Sequence, residues 1–286
     1  LLFSATMPDS IMRIAKKHMK EFRLISTKSI QLTADLTDQI YFEVNDSDRF
    51  EALCRIIDME ADFYGLIFCR TKVAVDELVN RLIDRGYDAE AIHGDLSQQQ
   101  RERTLEKFKK KRSNILVATD VAARGIDVMN LSHVINFSLP QEPEAYVHRI
   151  GRTGRAGKKG IAITFISPSE YRKLMFIQKI AKTTIRKEKI PRVADIVNIK
   201  KSRIQSEIER IIDEKSHTEY LKAAKNILKD NNPEEILAAI IKYSFDREFD
   251  ETRYREIGDV SVDRKGTTRL FVSLGKKDGM MPRKLV

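Results

Sequence analysis

Ile115-Leu116-Val117-Ala118-Thr119-Asp120-Val121-Ala122-Ala123-Arg124-Gly125-Ile126-Asp127 is the stretch on which the reading of the fold turns. Its first four residues are continuously apolar, as expected for a strand covered on both faces. Thr119 and Asp120 then supply capping side chains for a short helix, whose N-terminal amides suit a phosphate. The same pattern recurs outward in both directions. Strands are expected at residues 40–44, 66–69, 89–93, 133–137 and 161–166, with helices at 49–59, 73–85, 97–111 and 143–150. Strands alternating with helices predict an α/β fold built on a doubly wound parallel sheet. Right-handed crossovers bring the strand C-terminal ends to one edge, where ligands bind.

Further from this core the pattern changes. Ile11, Ile14, Ala15 and Met19 are spaced for a helix over residues 8–20. Ser167-Pro168-Ser169-Glu170 is a helix start, with Ser as cap, Pro in the first turn and Glu at the third position. The sheet unit closes near residue 180, and a basic linker follows to 202. Residues 203–245 carry apolar stripes: Ile204, Ile208, Ile211 and Ile212; then Leu221, Ala224 and Leu228; then Ile236, Leu237, Ile240 and Ile241 after Asn232-Pro233. Three short helices make a poor core of their own and need something to dock on. Residues 246–267 read as a charged linker. Residues 268–286 open as a strand and turn.

The chain has 286 residues, with 52 Lys and Arg against 42 Asp and Glu. No apolar run reaches the ~18 residues of a membrane span. Cys54 and Cys69 lack metal-ligand spacing and read as partly buried thiols in a reducing compartment. The sequence opens on Leu1-Leu2-Phe3 without Met or signal-peptide layout, which predicts a fragment. Residues 101–112 hold seven basic and two acidic side chains, and residues 179–203 hold nine and two. Either run alone is a solvated face; two runs together with a phosphate-suited motif favour a polyanion.

That motif is His148-Arg149-Ile150-Gly151-Arg152-Thr153-Gly154-Arg155. Arg152 and Arg155 lie three apart, so both guanidinium forks can face one point, as phosphate oxygens require. Three weaker signals sit at strand ends: Asp127, suited to a ribose hydroxyl; His93-Gly94-Asp95 with Gln98 and Arg101; and Leu66-Ile67-Phe68-Cys69-Arg70-Thr71.

In this order and spacing the segments resemble the second RecA-like domain of superfamily 2 helicases, specifically the DEAD-box RNA helicases. Ser4-Ala5-Thr6 matches the family motif that ends the first RecA-like domain, so residues 1–36 read as that end plus a linker, and 37–180 as the second domain. Residues 66–71 match motif IV, 98–101 motif IVa, 118–127 motif V and 148–155 motif VI. The resemblance implies that Arg152 and Arg155 are arginine fingers for the γ-phosphate of ATP, and that His148 couples the nucleotide site to Ser4-Ala5-Thr6. It implies that Gly125 and Asp127 complete the nucleotide side. Thr71, Gly94, Arg101, Thr119 and Arg124 match positions that hold the RNA backbone. The Walker A and Asp-Glu-Ala-Asp motifs do not occur. ATP with Mg2+ is therefore expected to bind mainly on a first domain upstream, and this chain alone to be inactive.

The C-terminal part is similar to bacterial DeaD/CsdA-type cold-shock helicases, in which the helical segment dimerises. Arg269 to Gly279 resembles the start of the RRM-like domain shared with DbpA-type helicases, with Phe271 as its one exposed-aromatic candidate. These likenesses imply an RNA partner, a homodimer through residues 203–245, a cytoplasmic location and no membrane. The competing readings are a non-catalytic RNA-binding and dimerisation module, and a superfamily 2 DNA helicase.

Overall fold

The structure is a computed structural model that describes residues 9–19, 22–25, 37–123, 126, 128, 130–154, 159–229 and 231–258. After the helix α1 (Asp9–His18), strands and helices alternate: β1 (Thr37–Glu43), α2 (Arg49–Met59), β2 (Gly65–Cys69), α3 (Lys72–Asp84), β3 (Ala89–Ile92), α4 (Gln98–Lys109), β4 (Ile115–Thr119), α5 (Asp120–Ala123), β5 (His133–Asn136), α6 (Pro143–Ile150), β6 (Gly160–Ile166), α7 (Tyr171–Ala181) and β7 (Arg186–Lys187). The seven strands form one sheet in the order β3-β4-β2-β5-β6-β1-β7, and every pair is parallel. The expected strands and helices of the sheet unit are present, each within a few residues of its expected bounds.

The sheet is covered on both faces, which is why its strands read as unbroken apolar runs. On one face Leu53 and Ile56 of α2 and Val75, Leu78 and Leu82 of α3 pack on Ile67, Ile115, Val117 and Ile135. On the other, Phe108 of α4 and Ala122 of α5 meet Leu66, Phe68, Leu116 and Val134, while Tyr146, Ile150, Leu174 and Ile177 meet Tyr41 and Ala162. Alternate residues of one strand therefore serve opposite cores. The Ser167 start is as expected: its amide donates to Glu170 Oε2 at 3.0 Å.

The stretch expected as a basic linker, 181–202, is instead structured. It holds β7, which pairs with β1, and the first half of α8 (Val193–Asp213). Ile196 and Val197 are buried against the sheet unit. The stretch from 246 differs likewise: α10 (Pro233–Phe249) runs into it, and Tyr254 is buried. Several charges in and around these two stretches are paired. Arg55 donates to the carbonyls of Pro191 at 3.2 Å and Arg255 at 2.5 Å. Arg203 caps the last carbonyls of α2, Asp58 O and Met59 O. Asp58 accepts from Tyr254 and Tyr87 and pairs with Lys200 at 3.1 Å. Beyond this dock, α9 (Leu221–Leu228) and α10 leave their apolar residues exposed or half-buried. Among the described residues no helix is long and apolar enough to cross a membrane. Ser4-Ala5-Thr6 and residues 268–286, Phe271 included, lie outside the described residues.

Candidate functional site

The C-terminal ends of β2, β3 and β4 stand side by side, and these ends with the loops leaving them carry three of the expected residues. Thr71 caps α3, its hydroxyl accepting from Ala74 N at 3.2 Å. Gly94 is exposed in the loop after β3, with open space where a Cβ would stand. Its neighbour His93 is buried, and its Nε2 is 2.9 Å from Asp76 Oδ1. Thr119 ends β4 and accepts from Ala122 N at 3.4 Å, so it caps α5. Asp120 has a different task from the expected cap, described below. Arg101 joins this edge from the first turn of α4, where its Nη2 donates to Ala122 O at 2.5 Å. Ser97 and Gln100 close that helix start with a reciprocal capping box. The structure thus brings Thr71, Gly94, Thr119 and Arg101 to one edge.

The residue that ties this edge together was given no role by the sequence reading. Arg149, 3% exposed, donates from Nε and Nη2 to both carboxylate oxygens of Asp120, at 2.6 and 2.8 Å. Its Nη1 donates to Asn136 Oδ1 and Ser138 O, both at 2.8 Å. Its guanidinium lies 4.8 Å from the Phe68 ring centroid. One fork therefore binds the ends of β2, β4 and β5 to α6. A buried guanidinium requires such full pairing, because its charge cannot be lost. The available signal was its place inside the octapeptide, three residues and about one turn after the buried Tyr146, on the inner face of α6. The nearby Cys69 thiol is pushed up to about 12 by burial, against the pull of Arg149, and Cys54 rises to about 12 for the same first reason. Both are free, buried thiols, inert at neutral pH.

The other expected group leaves the edge. His148 is exposed on α6, and the turn after that helix carries Arg152, whose Nη1 donates to Ile126 O at 3.0 Å. Thr153 is fully buried, donates to Leu131 O and pairs with Leu131 beside the start of β5. Gly160 must be glycine here, since a Cβ would stand 2.5 Å from Gly154 N and collide with Thr153. The turn is thereby clamped beside the starts of β5 and β6, and Arg152 is tied to the loop before β5 through Ile126. Arg124, Gly125, Asp127 and Arg155 lie outside the described residues. Among the described residues no three His, Cys, Asp or Glu side chains gather as metal ligands. The donor set at this site is cationic and suits phosphate, not Mg2+.

Comparison with known proteins agrees with this architecture. Residues 48–157 match the helicase conserved C-terminal domain. The chain is 43% identical over 242 residues to the DEAD-box ATP-dependent RNA helicase CshA of Geobacillus kaustophilus, covering 85% of this chain and 52% of that protein. It thus spans about half the length of the curated relatives it matches. Among solved structures it is similar to the C-terminal domain of the DEAD-box protein Dbp5, at 33% identity and a TM-score of 0.53, over 58% of this chain and 98% of that one. It is also similar to Saccharomyces cerevisiae Dbp5 bound to RNA and ADP BeF3, at 32% identity and a TM-score of 0.62, over 70% of this chain and 54% of that one.

Proposed function

The chain belongs to the DEAD-box RNA helicases, whose C-terminal portion it matches, and from that premise we propose that it supplies one half of an ATP-driven RNA-remodelling site. Thr71, Gly94, Arg101 and Thr119, with Arg124, hold the sugar-phosphate backbone of RNA at the strand ends. Arg152 and Arg155 meet the γ-phosphate of ATP carried by a first RecA-like domain, Gly125 and Asp127 face its ribose side, and His148 relays between that nucleotide and the partner domain. The donor types fit these tasks: fixed forks for a phosphate whose charge spreads in the transition state, and short polar groups for a continuous backbone. Mg2+ finds no ligand set among the described residues.

The observation that carries the reading is the Arg149 hub. It fastens the ends of β2, β4 and β5 to the helix bearing His148 and leading to Arg152. RNA held at the edge and phosphate met by Arg152 then act on one body, and closure on a first domain builds both sites together. On this reading the parent protein locally separates RNA strands, and this chain alone hydrolyses no ATP. The test is RNA-stimulated phosphate release from the chain mixed with a separately made first domain. Activity is expected only in the mixture, and Arg152→Ala should lower it by about 10³-fold. Turnover by the chain alone would instead sink the half-site reading. Retained RNA binding with no turnover in any mixture would favour the non-catalytic alternative.

The same proposal extends to the helical segment. Ile208 is 40% exposed, Ile212 54%, Leu237 54% and Ile240 48%. These stripes support pairing with a second copy about a two-fold axis. A DeaD/CsdA-like character, an RRM-like continuation over 268–286 and a cytoplasmic location belong to this proposal too.

A further inference from the structure

The residues assigned to RNA account for the ends of β2, β3 and β4 and leave the ends of β5 and β6 unexplained. Cations crowd there. Arg70, just past β2, has a side chain 53% exposed, with Nη2 3.9 Å from Glu170 Oε1. Glu170 is already engaged through Oε2 by Arg49 and by the Ser167 amide. In the first turn of α7, Lys173 donates to Gln141 Oε1 at 2.8 Å, on the loop after β5. Burial first, and then the charge of Arg70, hold the Lys173 ammonium below the ordinary lysine range, although Glu170 and Glu142 pull the other way. Like charges gathered beside a carboxylate that is already shared are the footprint of a polyanion.

The helix beyond carries a second, independent feature. Leu174 and Ile177 turn α7 onto the core, while Phe176 is 55% exposed and Ile180 49% exposed. Arg172, Phe176 and Lys179 recur at helical spacing on that outer side. An exposed phenyl between cations is a platform for an unstacked base.

We propose that Arg70, Lys173 and Phe176 continue the nucleic-acid track past β2, along the ends of β5 and β6 and onto α7, where they take two phosphates and one base of single-stranded RNA. The inference rests on the reading of the strand-end edge as an RNA track. RNA is favoured over an acidic protein segment because the cations continue the line of strand ends that carries Thr71, and because the exposed phenyl comes after them.

The test is fluorescence anisotropy of the purified chain with labelled oligouridine of about 6 and about 12 nucleotides, lengths that bracket a single-strand site. Arg70→Ala with Lys173→Ala should weaken the longer strand about tenfold, leave the shorter one unchanged, and reduce the log–log salt slope by about 1.4 for two lost phosphates. Phe176→Ala should weaken the longer strand about fivefold or more. All three side chains are at least partly exposed, and an unchanged melting temperature checks that the variants fold. Unchanged binding of the longer strand, or equal losses at both lengths, overturns the extension. Competition by polyglutamate as strong as by RNA also overturns it and assigns the surface to an acidic protein. Thr71→Ala and Arg101→Ala separate the two claims. If they weaken both lengths, the edge reading holds whatever α7 does. If they weaken neither while Arg70→Ala with Lys173→Ala weakens the longer strand, the edge reading fails and the α7 site stands.

Discussion

The helix α3 and the helix α10 carry the same kind of apolar stripe and meet opposite fates. In α3, Val75, Leu78 and Leu82 are at most 3% exposed, whereas in α10 Leu237 and Ile240 remain 54% and 48% exposed. The contrast runs through a single helix in α8: Ile196 is fully buried on the sheet unit, and Ile212, sixteen residues on, is 54% exposed. A stripe at 3.6-residue spacing says that one face is apolar, not what covers it. In the sheet unit the cover is the sheet. In the helical segment no described residue provides it, and that difference separates a packed body from an exposed apolar surface.

If the comparison is right, mutations in the two regions should differ in kind. The largest effect belongs to Arg149. Arg149→Ala strips Asp120 and Asn136 of their buried partner and should cost about 3–5 kcal/mol in urea unfolding. Arg149→Lys should restore little, because an ammonium cannot reproduce the fork. The counterpart is Arg210 of α8, which pairs with Glu207 and Glu214 on an exposed face. Arg210→Ala should change stability by less than about 0.5 kcal/mol. An equal cost for the two would erase the distinction.

Core truncation comes next. Leu53→Ala should cost about 2–5 kcal/mol, against less than about 1 kcal/mol for Leu237→Ala in the monomeric chain.

A third test uses acid. His133 is buried and stacked on Phe63 with ring centroids 4.9 Å apart, and burial lowers its imidazole to about 4. Glu60 Oε1 stands 3.8 Å away but is 38% exposed and does not offset that burial. Below the ordinary histidine value the unfolded chain binds a proton that the folded chain refuses. Stability of the sheet unit should therefore be full above about pH 6.5 and fall as pH drops toward about 4, by roughly 1–3 kcal/mol. Urea midpoints at pH 7 and pH 5 measure this, and His133→Asn should flatten the dependence.

A smaller effect concerns the dock between the regions. Tyr254→Phe removes the hydroxyl that meets Asp58 and Lys200. It should cost about 1 kcal/mol and speed amide exchange in the first turns of α8 while leaving β2 and β4 unchanged.

The sheet unit was legible because its signals are local and agree. Residues 115–118 are apolar without interruption, Thr119 has a capping side chain, and both predict what forms there. That the segments carrying Thr71, Gly94 and Thr119 lie on one edge followed from topology, whereas singling out these residues needed the family resemblance. Arg149 did not, since a guanidinium in a basic motif reads as surface until the fold places three strand ends around it. The stretch 181–202 was misjudged for a related reason. Its basic residues suggested solvent, but Lys200 answers Asp58 on α2, a pairing across more than a hundred residues that no local pattern reveals. Lys187 answers Glu43 in the same way.

The claim that the helical segment's exposed stripes belong to a second copy is tested most directly by sedimentation velocity. At tens of micromolar the unmodified chain should sediment as a dimer, and the Ile208→Asp, Ile240→Asp double variant as a monomer whose urea midpoint is unchanged. A monomer for the unmodified chain at that concentration would contradict the account.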